Sequence, residues 1–309
     1  MASLKEVKGR IATVNNTRKI TSAMKMVASA KLHKAQGAIT HMLPYEKRLH
    51  ELLTNLLGGG DALFWGTPRE VKRVALVVFS SNSSLCGGFN ANVIKHATQW
   101  LDEHQALGKE NILIYPVGKK VADAMVKMGY PIQGDFQHLA DKPSFAEAAE
   151  LAQGLMDKFA HGEVDKVELI YNHFKSTATQ ILTREVYLPM NCSNNGSVHS
   201  CHSDDRREED ELLRTPSEKS REHPQDVDYI LEPSREELLT MLLPKVLRMK
   251  LYTALLDSNA SEHAARTMAM QIATDNADDL LQELTLMYNK TRQQAITNEL
   301  LDIVGGSMA

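Results

Sequence analysis

The chain has 309 residues, 43% of them apolar and 24% charged, and 35 Lys and Arg against 39 Asp and Glu leave a formal charge of −4. That near-neutral balance argues against a dedicated nucleic-acid binder, and at about 150 residues per domain the length suggests two units. Apolar runs such as Val74 to Phe79 fall far short of the ~20 residues of a membrane span. No export pattern is visible at the N-terminus, and Cys86, Cys192 and Cys201 are too few for a disulfide scaffold, so a reducing, cytoplasmic setting is expected.

The N-terminal segment opens with Ser3 and Glu6 as a capping box and reads as helix up to Gly58, Gly59 and Gly60. Leu4, Val7, Ile11 and Val14 alternate steps of three and four, which is coiled-coil seam spacing and implies a partner helix. Pro44 predicts a bend, because an interior proline removes a hydrogen bond. Residues 70–191 change texture: 73–80, 111–117, 166–174 and 179–189 read as strands, with helices at 90–104, 119–127 and 144–159. This order suits a Rossmann-like open sheet. Residues 192–225 are polar and unpatterned, and read as a flexible insertion.

The last segment mirrors the first. Ser234 and Glu237 cap a helix running to Gly305 and Gly306, with a seam at Ala273, Ala277, Leu280, Leu284, Met287 and Thr291. Ala260, Ala264 and Ala269 keep it thin enough for close approach. Residues 1–50 carry ten bases and two acids, and residues 257–302 eight acids and three bases, so the two helices attract one another. A globule of this length has a diameter near ~50 Å, whereas ~70 helical residues extend about 105 Å. The expected fold is therefore α/β: a long antiparallel α-helical coiled coil of the N- and C-terminal helices (1–60 and 226–309) plus a central Rossmann-like open-sheet domain. The C-terminal helix should overhang its partner by roughly 30 Å.

The turn 80–90 is where a doubly wound enzyme holds phosphate, but it has neither the G-x-G-x-x-G nor the G-x-x-x-x-G-K-[ST] pattern, so a tight structural turn is expected. Cys86 lacks a sequence-level His or carboxylate partner and reads as packed. In the insertion, Cys192, His199, Cys201, His202 and His223 have zinc-ligand chemistry without an established spacing. A reversible Cys192–Cys201 disulfide is the redox alternative. Lys5, Lys8, Arg10, Arg18, Lys19, Lys25, Lys31 and Lys34 make the first helix basic, yet no aromatic residue is interleaved for base stacking, so a charged coiled-coil flank is the better reading.

Several strings resemble the gamma-subunit family of F-type ATP synthases, the central-stalk rotors: IATVNNTRKITSAMKMVA at 11–28, LCGGFN at 85–90, YILEP at 229–233, ASEHAAR at 260–266, ATDNA at 273–277, YNKTRQ at 288–293 and ITNE at 296–299. Members usually carry Asp, a basic residue and Gly where this chain has Asn82, Ser83 and Ser84, and Gly-Ala where it has Gly305 and Gly306. The resemblance implies a non-catalytic subunit with no cofactor, whose coiled coil turns inside a ring of three alpha and three beta subunits and whose base meets the epsilon subunit and the c-ring. ATP chemistry would lie on beta. Met24, Arg266, Arg292 and Gln293 are the implied beta contacts, and Leu300, Leu301, Ile303 and Val304 the apolar tip in an alpha/beta sleeve. Tyr229 and Glu232 are the implied foot toward the c-ring and epsilon. Membrane association, at the cytoplasmic face of a bacterial inner membrane, would run through the c-ring only. The competing reading is a Rossmann-like enzyme with helical oligomerisation arms.

Overall fold

The structure, a computed structural model, describes residues 4–56, 69–190, 232 and 234–307. Two helices dominate it: α1 (Leu4–Leu56, 53 residues) and, at the other end of the chain, a helix of 73 residues, Arg235–Ser307. Along α1 the positions 4, 7, 11, 14, 18, 21, 25, 28, 32, 35, 39, 42, 46, 49, 53 and 56 are all buried or half-buried, flanked in places by further half-buried residues such as 15, 22, 36–38 and 43. The first set is an unbroken alternation of three and four, so the seam seen in the first four residues continues through the whole helix.

Between the long helices come β1 (Val74–Phe79), α2 (Phe89–Glu103), β2 (Ile112–Val117), α3 (Lys119–Lys127), a short α4 (Gln137–Asp141), α5 (Phe145–Ala160), β3 (Lys166–Phe174) and β4 (Gln180–Leu188). The long C-terminal helix is α6. The strand order is β2-β1-β3-β4, with β1 parallel to both neighbours and β4 antiparallel to β3. The open sheet is therefore mixed, because β3 and β4 are joined by a tight turn at Ser176 and Thr179 rather than by a crossover. Period-two alternation sends Val74, Leu76 and Val78 to one face with Val93, Trp100, Val121 and Met125 of α2 and α3. Ala75, Val77 and Phe79 face Leu151, Leu155 and Phe159 of α5 and Leu247, Leu251 and Leu255 of α6. The rod is thus rooted in the core of the base.

A buried carboxylate closes the opposite side of the sheet. Glu168 takes hydrogen bonds from Trp100 Nε1 at 2.8 Å and Arg184 Nε at 2.6 Å, with Lys166 Nζ 2.6 Å away. Burial by itself pushes this carboxyl up, but the hydrogen bonds from Arg184, Lys166 and Trp100 outweigh it and hold the group below its ordinary value.

α1 and α6 pair antiparallel in one register throughout. Leu53 and Leu56 cluster with Leu239 and Leu243 near the base, and Leu32, Ala35 and Ile39 cluster with Leu256, Ala260 and Ala264. Farther out, Thr21 and Thr274 hydroxyls meet at 2.9 Å and Arg18 Nη1 donates to Asp278 Oδ1 at 2.7 Å. The pairing is unchanged across Pro44, and α1 remains one helix through it, so the exposed proline neither ends the helix nor shifts its partner. Continuing the register puts Leu4 level with about Thr291, and α6 runs on to Ser307, about 24 Å farther.

Two expectations are corrected here. The α6 seam runs through Met270, Thr274, Ala277, Leu281, Leu284, Tyr288 and Thr291, while Leu280 and Met287 are about half exposed. The threonine pair and the Arg18–Asp278 bridge fix the helix rotation that turns those two residues outward. The helix also continues through Gly305 and Gly306, since glycine lowers helix propensity by about 1 kcal/mol without forbidding the conformation. At the base end, the Ser234 cap is present: its Oγ accepts from Glu237 N–H at 3.3 Å. Ser3, Gly58, Gly59 and Gly60, the 192–225 insertion with Cys192, His199, Cys201, His202 and His223, and Tyr229 lie outside the described residues.

Candidate functional site

In open α/β sheets ligands bind beyond the carboxyl ends of the strands at a switch in strand order. Here that crevice is closed by the chain itself. Gly118, at φ +114°, brings β2's exit against Ser80, and Val121 N–H donates to Ser80 Oγ at 3.2 Å. Asn82 fills the next position, accepting from Lys119 N–H at 2.9 Å and donating to Gln137 O at 2.7 Å and Asp141 Oδ2 at 2.8 Å. α6 covers the rest. What remains between Phe79, Ser80, Val117, Ala140, Leu255 and Asn259 is a cavity of about 10 Å³, the size of one water, whereas small-molecule sites need about 300 Å³ or more. A wider groove of about 400 Å³ lies between Phe136 and α5. Among its polar groups, Lys158 Nζ donates to Tyr115 Oη at 2.9 Å and His138 is paired with Glu147.

Cys86 is buried, and Asn90 Nδ2 approaches its sulfur at 3.1 Å. Its loop is held in shape by Leu85 and Gly87, both at positive φ. Only glycine adopts that conformation freely, and the bare Gly87 lets the loop lie against Ala269 of α6.

Where α6 leaves the base, every residue from 254 to 264 is buried, the polar Asp257, Ser258, Asn259, Ser261, Glu262 and His263 among them. A helix buried all round has neighbours on every side; here these are α1, β3, α4 and the 80–90 loop. Asp257 pairs with His173 at 2.8 Å, Asn259 Nδ2 donates to Ala140 O at 2.8 Å and Ser261 Oγ donates to Asn172 O at 3.0 Å. Burial pushes Glu262 up, and burial together with Arg266 and Lys31 pushes His263 down to about 4, so the imidazole is neutral at pH 7. Sequence reasoning missed this stretch as an interface. The available signal was a run of short polar residues occupying all faces of a helix that is otherwise patterned.

The residues expected to meet partners fall into two groups. Arg266 is turned inward: its side chain is 16% exposed, Nη1 pairs with Glu262 at 2.7 Å and Nη2 donates to Ser83 Oγ at 2.7 Å. The others face outward. Met24 is 41% exposed and forms an apolar stripe on α1 with Ile20 and Val27. Arg292 and Gln293 are exposed just beyond the level of Leu4, and Leu300, Leu301, Ile303 and Val304 are 53–68% exposed on the overhang. Glu232 is exposed at the base end of α6. Large apolar side chains left in water on a projecting helix mark a surface that a partner covers.

The described residues thus form a two-helix shaft rooted in the core of an open-sheet base, with the strand-end crevice of the sheet filled by the chain itself. Comparison with known proteins gives the family. A family model described as ATP synthase matches residues 3–309. The ATP synthase gamma chain of Phocaeicola vulgatus is 64% identical over 311 residues, covering 100% of both chains. That of Bacteroides thetaiotaomicron is 57% identical over 317 residues, again covering 100% of both, and that of Flavobacterium johnsoniae is 46% identical over 312 residues, covering 100% of this chain and 99% of its own. In fold, the chain matches a chain of the Euglena gracilis mitochondrial ATP synthase (OSCP/F1/c-ring) at a TM-score of 0.60 and 20% identity, over 99% of this chain and 94% of that one. A chain of the Tetrahymena thermophila central stalk/c-ring matches at 0.54 and 21%, over 82% and 99%. The chain belongs to the gamma-chain family of the F-type ATP synthases, the central-stalk rotors. Among the described residues no helix is long and apolar enough to cross a membrane.

Proposed function

We propose that this chain works as the shaft between a ring of three alpha and three beta subunits and a membrane-embedded c-ring. The catalytic ATP sites lie on beta, and the chain contributes asymmetry, not chemistry. A lopsided pair of helices touches each beta subunit differently, so its angle sets which conformation each one favours, and rotation becomes a change in nucleotide affinity. Met24, Arg292 and Gln293 face the moving beta segments, with Arg266 at the shaft's exit from the base. Leu300, Leu301, Ile303 and Val304 run in an apolar alpha/beta sleeve. Tyr229 and Glu232 stand toward the c-ring and epsilon, which supply the only attachment to the membrane, at its cytoplasmic face. Nucleic acid has no place in this reading.

The observation that supports it most is the α6 overhang, where Leu300, Leu301, Ile303 and Val304 are 53–68% exposed and Arg292 is exposed beyond the level of Leu4. Co-expression with alpha and beta subunits and native mass measurement is the test. One copy per three alpha and three beta chains is the expected result. Absence of that stoichiometry, or an assembly that forms equally well after removal of residues 296–309 with unchanged coupling, would count against the tip's assignment.

A further inference from the structure

Beyond the deeper contacts of Leu247 O with Tyr187, Arg248 with Gln153 and Lys250 with Glu185, four directional contacts join α6 to the base along the last stretch of about 14 Å before the shaft leaves it. They are Asp257 Oδ2 to His173 Nδ1 at 2.8 Å, Asn259 Nδ2 to Ala140 O at 2.8 Å, Ser261 Oγ to Asn172 O at 3.0 Å and Arg266 Nη2 to Ser83 Oγ at 2.7 Å. They reach three separate parts of the base: β3, α4 and the loop after β1. Apolar packing around the same helix holds it in place but is non-directional, so it resists separation more than rotation about the helix axis. Hydrogen bonds weaken steeply as they misalign. Because Asp257, Asn259 and Ser261 are buried, water does not replace those bonds as they stretch, and breaking one leaves a polar group unsatisfied.

We propose that these four contacts form the torsional coupling between shaft and base, through which twist of the coiled coil is handed to the sheet. The inference rests on the rotor reading and adds positioning residues to it. None of the four acts on nucleotide; each holds the shaft's angle relative to the base.

The test uses the assembled complex of alpha, beta and this chain, fixed through its ring, with a probe attached to the base. Angular variance of the probe during a catalytic dwell is inversely proportional to torsional stiffness. If the four contacts share load equally and the deeper α6 contacts carry part of it, Ser83→Ala with Asn259→Ala raises that variance by up to about twofold, and Asn259→Ala alone by up to about 1.3-fold. Unloaded ATP turnover stays at the wild-type value in both. Ser261→Ala removes a second buried bond and gives an independent single-variant reading if Asn259→Ala does not assemble. A role confined to fold stability lowers the melting temperature and leaves the variance unaltered, and that result overturns the proposal. Failure of the unmodified chain to assemble or to turn overturns the rotor reading instead.

Discussion

Two glycine-to-alanine substitutions, chemically identical, are expected to move the base in opposite directions. At Gly118 the backbone sits at φ +114° and ψ 144°, a region nearly closed to other residues that costs about 1–3 kcal/mol for alanine. A Cβ there would stand 2.2 Å from Ser80 O and 2.7 Å from both the carbonyl carbon and Oγ of Ser80. Relief requires Ser80 to move, although its N–H donates to Val117 O at 2.8 Å and its Oγ accepts from Val121 N–H at 3.2 Å. At about 1 kcal/mol for each bond, Gly118→Ala destabilises the base by about 3–5 kcal/mol. Gly154 is exposed within α5 and has no atom within 4 Å of a built Cβ, so Gly154→Ala stabilises by about 0.5–1 kcal/mol through helix propensity. Hydrogen exchange of the β1 and β2 amides in the assembled complex reads the opening free energy directly. Exchange should accelerate about a hundredfold or more for the first variant and slow by a factor of about two to five for the second. Equal exchange at Gly118→Ala would refute the close-approach argument.

Three further outcomes follow from the charged groups. Glu168→Gln should cost about 2–4 kcal/mol in urea unfolding, because Arg184 and Lys166 lose their counter-charge. As the native carboxyl is held low, its stabilisation is present above about pH 4.5 and lost as pH falls below it, so the variant's acid limb should be shallower than wild type. His263 behaves similarly on a different window: it is held neutral at about 4, so its contribution is complete above pH 6.5 and is lost as pH falls toward 4. His263→Gln should flatten the unfolding midpoint between those values, and an unchanged slope would remove the buried-imidazole explanation. Arg18→Ala, by contrast, should shift stability by less than about 1 kcal/mol, since both partners of its bridge to Asp278 are part-exposed; a larger, salt-insensitive loss would contradict this.

Much of the coiled coil was legible because a local pattern encodes it. Steps of three and four in α1 place one stripe on one face whatever that face meets, and the fold class followed from helices too long for a globule. Rotation of α6 was not legible: Leu280 and Leu281, like Met287 and Tyr288, are adjacent apolar residues, and hydropathy cannot choose between neighbours. The Thr21–Thr274 and Arg18–Asp278 contacts choose, and they connect positions more than 250 residues apart.

The site divides in the same way. Met24, Arg292, Gln293 and the apolar tip are exposed, whereas Arg266 turns inward because Ser83 and Glu262 offer it partners that only the folded loop brings within reach. The long helices, the strand and helix order of the base and the absence of phosphate-binding glycines are readable along the chain, since each rests on periodicity or residue type within a short window. Tertiary structure alone decided which face of α6 is buried, how β4 turns back on β3, and that the strand-end crevice is filled by Asn82 and α6, because those outcomes depend on side chains meeting across long separations in the chain.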